Sequence, residues 1–364
     1  MAEQSLRITT RRSAASDTLR LNLGVKPALL LTLAVVVAAL FVLALAVGSV
    51  HIPLDQIATV LLGGEAERAS WTGIILKVRL PRAITAVLAG AALSVAGLMM
   101  QTFFRNPLAD PFILGVSSGA SLGVALVVLS MGAGGSTFLA SLGLLGDFGL
   151  AFAASIGAAL TMLIVLQVAR RVTSATVLLV LGLMFAYFTG ALVNLLLHFA
   201  VPERVQAYVS WGFGSFSAVT WDQLLVLAPA VLAALVASML LAKPLNALLL
   251  GETYARSMGL NVGQARVLIV VLTGVLAGAV TAFCGPIGFV GVAVPHVTRI
   301  LVRASDHRMM IPATALVGAI AALLAAMIAE MPFSTTTLPL NAVTALFGAP
   351  IVMAALMRSG RRAF

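Results

Sequence analysis

RLPRAITAVLAGAALSVAGLMMQTFFRNPLADPFILGVSSGASLG, from Arg79 to Gly123, spells two membrane crossings and the turn between them. The apolar run from Ile84 to Phe104 is close to the ~20 residues with which a helix crosses a bilayer core. Pro107 and Pro111 then end it, because a proline has no amide to donate to a continuing helix, so the chain must reverse over Asn106 to Pro111. In the next run Gly115, Gly119 and Gly123 recur every fourth residue and share one helix face. Missing side chains there admit a neighbouring backbone, and the three glycines are assigned to helix packing. Arg79-Leu80-Pro81-Arg82 reads as a basic, proline-broken entrance at the membrane edge.

The same character extends over the whole chain. Its 364 residues are 61% hydrophobic and 9% charged, with a mean hydropathy of +1.11, whereas a soluble domain carries about 25% charged residues. The fold class is therefore an all-α polytopic membrane protein. The single cysteine, Cys284, cannot form an intrachain disulfide, and His51, His198, His296 and His307 are scattered, so no metal and no cofactor is expected. A net charge of +10 raises the question of nucleic acid. The basic residues, however, sit in short loops and at the chain ends, the pattern that orients helices in a bilayer.

Taken in order, residues 1–26 form a polar, basic tail, and Pro27 to Val47 a first span that exceeds the ~7–15 residues of a signal-peptide core and lacks its cleavage site. Residues 50–80 are an external connection in which Trp71 to Lys77 reads as a separate interfacial helix. The second and third spans follow, the third ending near Met131 before an external loop from Gly132 to Gly146. A fourth span from Leu150 to Val168 stops at Arg170-Arg171, and a fifth runs from Val177 to Leu197. Glu203 to Phe216 is too polar to cross and reads as a re-entrant piece. After a sixth span, Leu224 to Leu241, residues 244–264 read as two short cytoplasmic helices, with Pro244 in a first turn and breaks at Gly251 and Gly259. The remaining spans are Val267 to Phe283, Val290 to Leu301 (interrupted by Pro295), Ile311 to Ile328 and Pro339 to Met357. The chain thus divides into a tail, a ten-span membrane domain over 27–358 and a second tail over 359–364.

Ten spans place both termini on one side. With that side cytoplasmic, 17 Lys and Arg lie inside and only Arg68, Lys77, Arg79, Arg82 and Arg204 outside, whereas the inverted topology reverses the positive-inside rule. Pro111-Phe112-Ile113-Leu114-Gly115-Val116 is also echoed by Pro286-Ile287-Gly288-Phe289-Val290-Gly291, five spans later and therefore inverted in the membrane. Proline- and glycine-interrupted segments at matching places in two halves suggest an inverted repeat, as in many transporters.

What is missing narrows the chemistry. No span carries an Asp, Glu, Lys or Arg near its middle, which disfavours a proton-coupled carrier. A sodium-coupled carrier acting without an ATPase stays open, with Thr189, Asn194 and Ser334 to Thr337 as its polar groups, as does a purely structural subunit. There is no G-x-x-x-x-G-K-[ST] phosphate loop, so ATP-driven transport requires a second chain, for which residues 244–264 offer a docking surface.

The RLPR entrance, the RNPLADP turn with LGVSSGASLG, the segment LLLGETYARSMGLNV, the run GPIGFVGVAVPHVTRILV followed by DHR, and LPLNAVTALFGAP together resemble the FecCD-type permeases, over nearly everything from Arg79 to Arg362. Members are membrane subunits of binding-protein-dependent ABC importers for iron-siderophores, haem and cobalamin. The resemblance implies a transport subunit of the bacterial inner membrane, not an enzyme. It also implies a homodimer with one path on its two-fold axis lined by the fifth and tenth spans, two cytoplasmic ATPase subunits and one periplasmic binding protein. Carried over residue by residue, Leu250, Gly251, Glu252, Ala255, Arg256, Ser257 and Gly259 match the ATPase-coupling helices. Arg79 and Arg82 match arginines that meet acidic residues of the binding protein, snorkelling at the membrane edge being their other reading. Thr173 and Ser174 match the loop that narrows the cytoplasmic end of the path. The chain departs from the family pattern at Glu330, where a basic residue is common, and over Thr335 to Asn341.

Overall fold

A computed structural model describes residues 27–48, 50–130, 147–172, 175–331 and 337–360. The tail over 1–26, the loop from Gly132 to Gly146, the Thr173-Ser174 pair, Thr335 and Thr336 lie outside the described residues. Among the described residues there is no strand. The first helices are α1 (Pro27–Ala46), α2 (Leu54–Leu61) and α3 (Ala69–Gly73). α3 passes through a π-helical turn, Ile74–Arg79, directly into α4 (Leu80–Phe103). The separate interfacial helix read at Trp71 to Lys77 is thus corrected to the opening of one 35-residue helix, Ala69–Phe103. Pro81 does not break it because it follows directly on the widened π turn, where the regular i→i−4 ladder is already interrupted. One carbonyl of the widened turn, that of Leu76, accepts from the Trp221 indole at 2.8 Å.

α4 is the central post, buried along nearly its whole length. After it the chain turns through Asn106, whose side chain accepts from Leu108 N, and Asp110, whose carboxylate accepts from Phe112 N at 2.7 Å. Asp110 caps a 3₁₀ turn over Pro111–Leu114. Burial pushes its carboxyl up to about 6, with the Phe112 amide pulling the other way. Then follow α5 (Val116–Ser130), α6 (Asp147–Arg171), α7 (Ala175–Phe199) and α8 (Pro202–Gly212). The second half comprises α9 (Trp221–Leu240), α10 (Ala242–Leu249), α11 (Glu252–Ser257), α12 (Val262–Cys284), α13 (Val290–Val302), α14 (His307–Ala329) and α15 (Leu340–Gly360).

Among the described residues seven helical stretches are long and apolar enough to cross a bilayer, and the apolar helices Val116–Leu129, Val290–Val302 and Leu340–Ala355 are shorter. The first two of these three are short for a visible reason. Each follows a non-α segment, Pro111–Leu114 or Gly285 to Phe289, that replaces its first turns. α13, read as interrupted at Pro295, is instead continuous through it.

The packing repeats when the halves are exchanged. α4 lies on α14 as α12 lies on α6, and α5 on α6 as α13 on α14; α4 also meets α13 as α12 meets α5, and α5 meets α7 as α13 meets α15. Gly119 and Gly123 of α5 press against α6, where a Cβ on either would strike the carbonyl of Gly157 or Ala153. Gly115 belongs to the break instead, at φ +75°, a left-handed conformation that glycine adopts without penalty.

Candidate functional site

The segment between α9 and α12 folds as α10 and α11, separated at Gly251 (φ +103°) and closed after α11 at Gly259 (φ +84°). Helices of eight and six residues are too short to persist in water on their own. Two tethers hold them.

The first runs from α10 to α14 and α4. Asn246 Nδ2 donates to Asp306 Oδ1 at 2.7 Å, while Asn246 Oδ1 accepts from His307 N at 2.9 Å and lies 2.8 Å from His307 Nδ1. His307 is 2% exposed, and its Nε2 lies 2.9 Å from Thr102 Oγ1 in the last turn of α4. Asp306 also accepts from Arg308 N, capping α14. Slight burial raises the Asp306 carboxyl, but the Asn246 amide, the Arg308 N–H and the nearby positive charges outweigh it and hold the group below its ordinary value.

The second tether centres on Arg266 in the first turns of α12. Its Nη2 lies 3.2 Å and 3.5 Å from the two carboxylate oxygens of Glu252 in α11. Its Nη1 donates to the Val172 carbonyl between α6 and α7, and its guanidinium sits over the Phe103 ring of α4 at 5.8 Å. One buried cation therefore joins a surface helix, the end of the central post and the turn that leads to Thr173. Glu252 also reaches Arg256 at 3.6 Å, but that arginine side chain is 59% exposed against 6% for Arg266. Leu250 is exposed, Ala255 is fully buried, and the Ser257 hydroxyl donates back to the Tyr254 carbonyl.

At the opposite end of α4 neither Arg79 nor Arg82 presents a free cation. Arg79 is 3% exposed and donates to the carbonyls of Leu45, at 2.7 Å, Ala46, at 2.9 Å, and Val50. Those of Leu45 and Ala46 are carbonyls left open where α1 ends, and Val50 lies in the chain just beyond, so the arginine closes a helix terminus. Arg82 is 5% exposed and ion-paired with Glu330 after α14. The Glu330 carboxylate thus neutralises a buried arginine.

Sequence reading missed Arg266, Asn246, His307 and Glu330 as linked groups. Only the spacing of Asp306 before a helical run, a capping pattern, offered a local signal. Among the described residues no cluster of His, Cys, Asp and Glu could hold a metal ion.

The chain matches the FecCD transport family over residues 33–358. It is 38% identical over 288 residues to the vitamin B12 import system permease proteins BtuC of Salmonella typhimurium and Salmonella typhi, which covers 79% of this chain and 84% of each relative. It is also similar to a solved chain described as an inward-facing conformation of a metal-chelate type ABC transporter, with a TM-score of 0.80 and 29% identity, covering 92% of this chain and 100% of the other.

Proposed function

The chain belongs to the FecCD transport family, and from that premise we propose that it is the permease subunit of an ABC importer that carries cobalamin or an iron chelate such as a siderophore or haem into the cytoplasm. It is a transport component rather than an enzyme, and a multi-pass protein of the inner membrane.

The observation that carries the mechanism is the Glu252–Arg266–Val172 connection. In this reading a partner ATPase grips α10 and α11 from the cytoplasm through Leu250, Glu252, Arg256, Ser257 and Gly259, while the buried Gly251 and Ala255 seat α11 on the bundle. Its closure displaces α11, and Arg266 passes the displacement to the α6–α7 turn, where Thr173 and Ser174 form the gate. The Asn246–His307–Thr102 chain passes the same motion to α14 and α4. Ten spans with both termini cytoplasmic fit this scheme, since the groups facing the ATPase then share the basic side.

A homodimer with a central path is supported by α7. Tyr187, Asn194 and His198 are exposed on it at intervals of seven and four residues, hence on one face. Polar groups in a span usually face protein or a water-filled cavity rather than lipid, so in this reading a second copy faces that stripe across the path, with α15 beside it. A periplasmic binding protein docks on the outer face. Arg79 or Arg82 meets its carboxylates only if Val50 or Glu330 releases the guanidinium.

The test is reconstitution of the chain in liposomes with and without its partner ATPase, with cobalamin and a ferric siderophore as alternative cargo. ATP-dependent uptake of one cargo, only in the presence of ATPase and binding protein, is the expected result. Uphill uptake by the chain alone under a sodium gradient would refute the reading in favour of a secondary carrier.

A further inference from the structure

We propose that the cavity between the end of α6 and the start of α12 is a headgroup site for an anionic phospholipid. It has a volume of about 620 Å³, and its wall carries Arg170, Arg256 and Arg266 with the side-chain amides of Asn261 and Gln264, and no carboxylate. Glu252, just outside the wall, is shared between Arg256 and Arg266 and offsets one charge. The site therefore keeps an excess of guanidinium and amide donors, the set that binds a phosphodiester.

A phosphate site could serve a soluble anion or a lipid, and the surroundings select the lipid. Ile156, Leu160 and Leu163 are 43%, 57% and 57% exposed on α6, and Arg170 lies two turns beyond Leu163 on the same stripe. On α12, Leu268 and Val275 are 51% and 40% exposed and follow Gln264 along one face. Two apolar stripes thus converge on the basic cavity. Acyl chains lying against them deliver their phosphate to the arginines, in the manner of basic pockets between spans at a cytoplasmic leaflet. The choice of leaflet rests on the topology proposed above. Because Arg256 and Arg266 both touch Glu252, a bound phosphate competes with that carboxylate, so the lipid loosens the hold on α11.

The full-length chain, purified without ATPase, is to be studied by native mass spectrometry with phosphatidylglycerol, phosphatidylcholine or inorganic phosphate added. Preferential retention of phosphatidylglycerol is expected. Arg170→Gln should reduce it about fivefold and Arg170→Gln with Arg256→Gln about 25-fold, at ~1 kcal/mol for each arginine near an anionic headgroup. Arg171→Gln makes the same charge change outside the cavity and should leave retention unchanged. Equal effects of Arg170→Gln and Arg171→Gln, equal retention of the two lipids, or displacement of phosphatidylglycerol by inorganic phosphate would each overturn the proposal. So would unaltered lipid retention in a double variant that no longer co-purifies with the ATPase, which would make the cavity a protein contact. Since the readout requires no transport, failure of the lipid assignment and failure of the importer reading are separable.

Discussion

Replacing Glu252 by Gln is the most direct trial of the coupling route. The substitution preserves shape and removes the counter-charge of Arg266, whose side chain is only 6% exposed. Stranding one member of a fully buried pair costs about 3–5 kcal/mol. Here Glu252 is 32% exposed, and Arg266 keeps the Val172 carbonyl and the Phe103 ring, so solvent screening and remaining partners reduce the expected loss to about 1–2 kcal/mol. A loss of that size multiplies the population of detached α11 about 5- to 30-fold. The measurement is a double-mutant cycle on Glu252 and Arg266, read by thermal unfolding of the purified chain through tryptophan fluorescence, beside an identical cycle on Glu252 and Arg256. The second pair is solvent-exposed and spaced four residues apart, so its coupling should be about 0.3–0.5 kcal/mol. In proteoliposomes holding the ATPase and binding protein, Glu252→Gln should lower uptake per ATP hydrolysed, while Arg256→Gln has a smaller effect. A cycle in which Arg256 couples to Glu252 as strongly as Arg266 does would refute the argument that burial selects Arg266 as the transmitting partner.

Three further outcomes are expected. Gly97→Ala should destabilise the chain by about 1–3 kcal/mol or abolish its accumulation, because the new Cβ meets the Gly291 backbone of α13, whereas Gly190→Ala, with nothing near it, should be neutral or stabilising in the same thermal assay. Glu330→Gln should cost ~3 kcal/mol by leaving Arg82 buried without a counter-charge, and Arg82→Met combined with Glu330→Leu should unfold at a higher temperature than Glu330→Gln alone. Asp110 is held neutral more readily in the fold than in the unfolded chain, so its stabilising contribution is complete below its ordinary value of 3.8 and is lost as pH rises through about 6; Asp110→Asn should flatten that pH dependence, by about 1–2 kcal/mol, in unfolding temperatures recorded between pH 4 and pH 7.

The parts of the fold legible in the sequence are those governed by local rules. Apolar length marks the long helices, missing amides at Pro107 and Pro111 mark the turn after α4, and Gly251 and Gly259 mark the ends of α10 and α11 because their backbones need positive φ. The echo between residues 111–116 and 286–291 was also visible, and the two segments touch, since a Cβ on Gly291 would meet the Pro111 ring. At the candidate site the two short helices between α9 and α12 were legible but their tethers were not. Arg266 carries the same local signature as any basic residue at the start of a span, and what distinguishes it is the convergence of Glu252, Val172 and Phe103, which only tertiary packing brings about.

Pro295 and the arginines at the start of α4 share a feature, in that a local rule states a cost and says nothing of a distant group that meets it. Pro295 deprives α13 of one amide, and its ring disturbs the preceding turn. The carbonyl of Val292 in that turn accepts from Gln101 Nε2 of α4 at 3.1 Å, and Gln101 Oε1 in turn accepts from Arg299 Nη1 at 2.7 Å. Gly97, one turn earlier on α4, lets the Gly291 backbone approach. α4 thus supplies both the space into which the turn before Pro295 packs and a donor to one of that turn's carbonyls. Arg79 and Arg82 follow the same logic, as cations that would be costly in an apolar bundle except that the end of α1 and Glu330 stand opposite them. Gln101 serves Val292 and Glu330 serves Arg82, so in both cases the group that meets the cost lies in the other half of the chain.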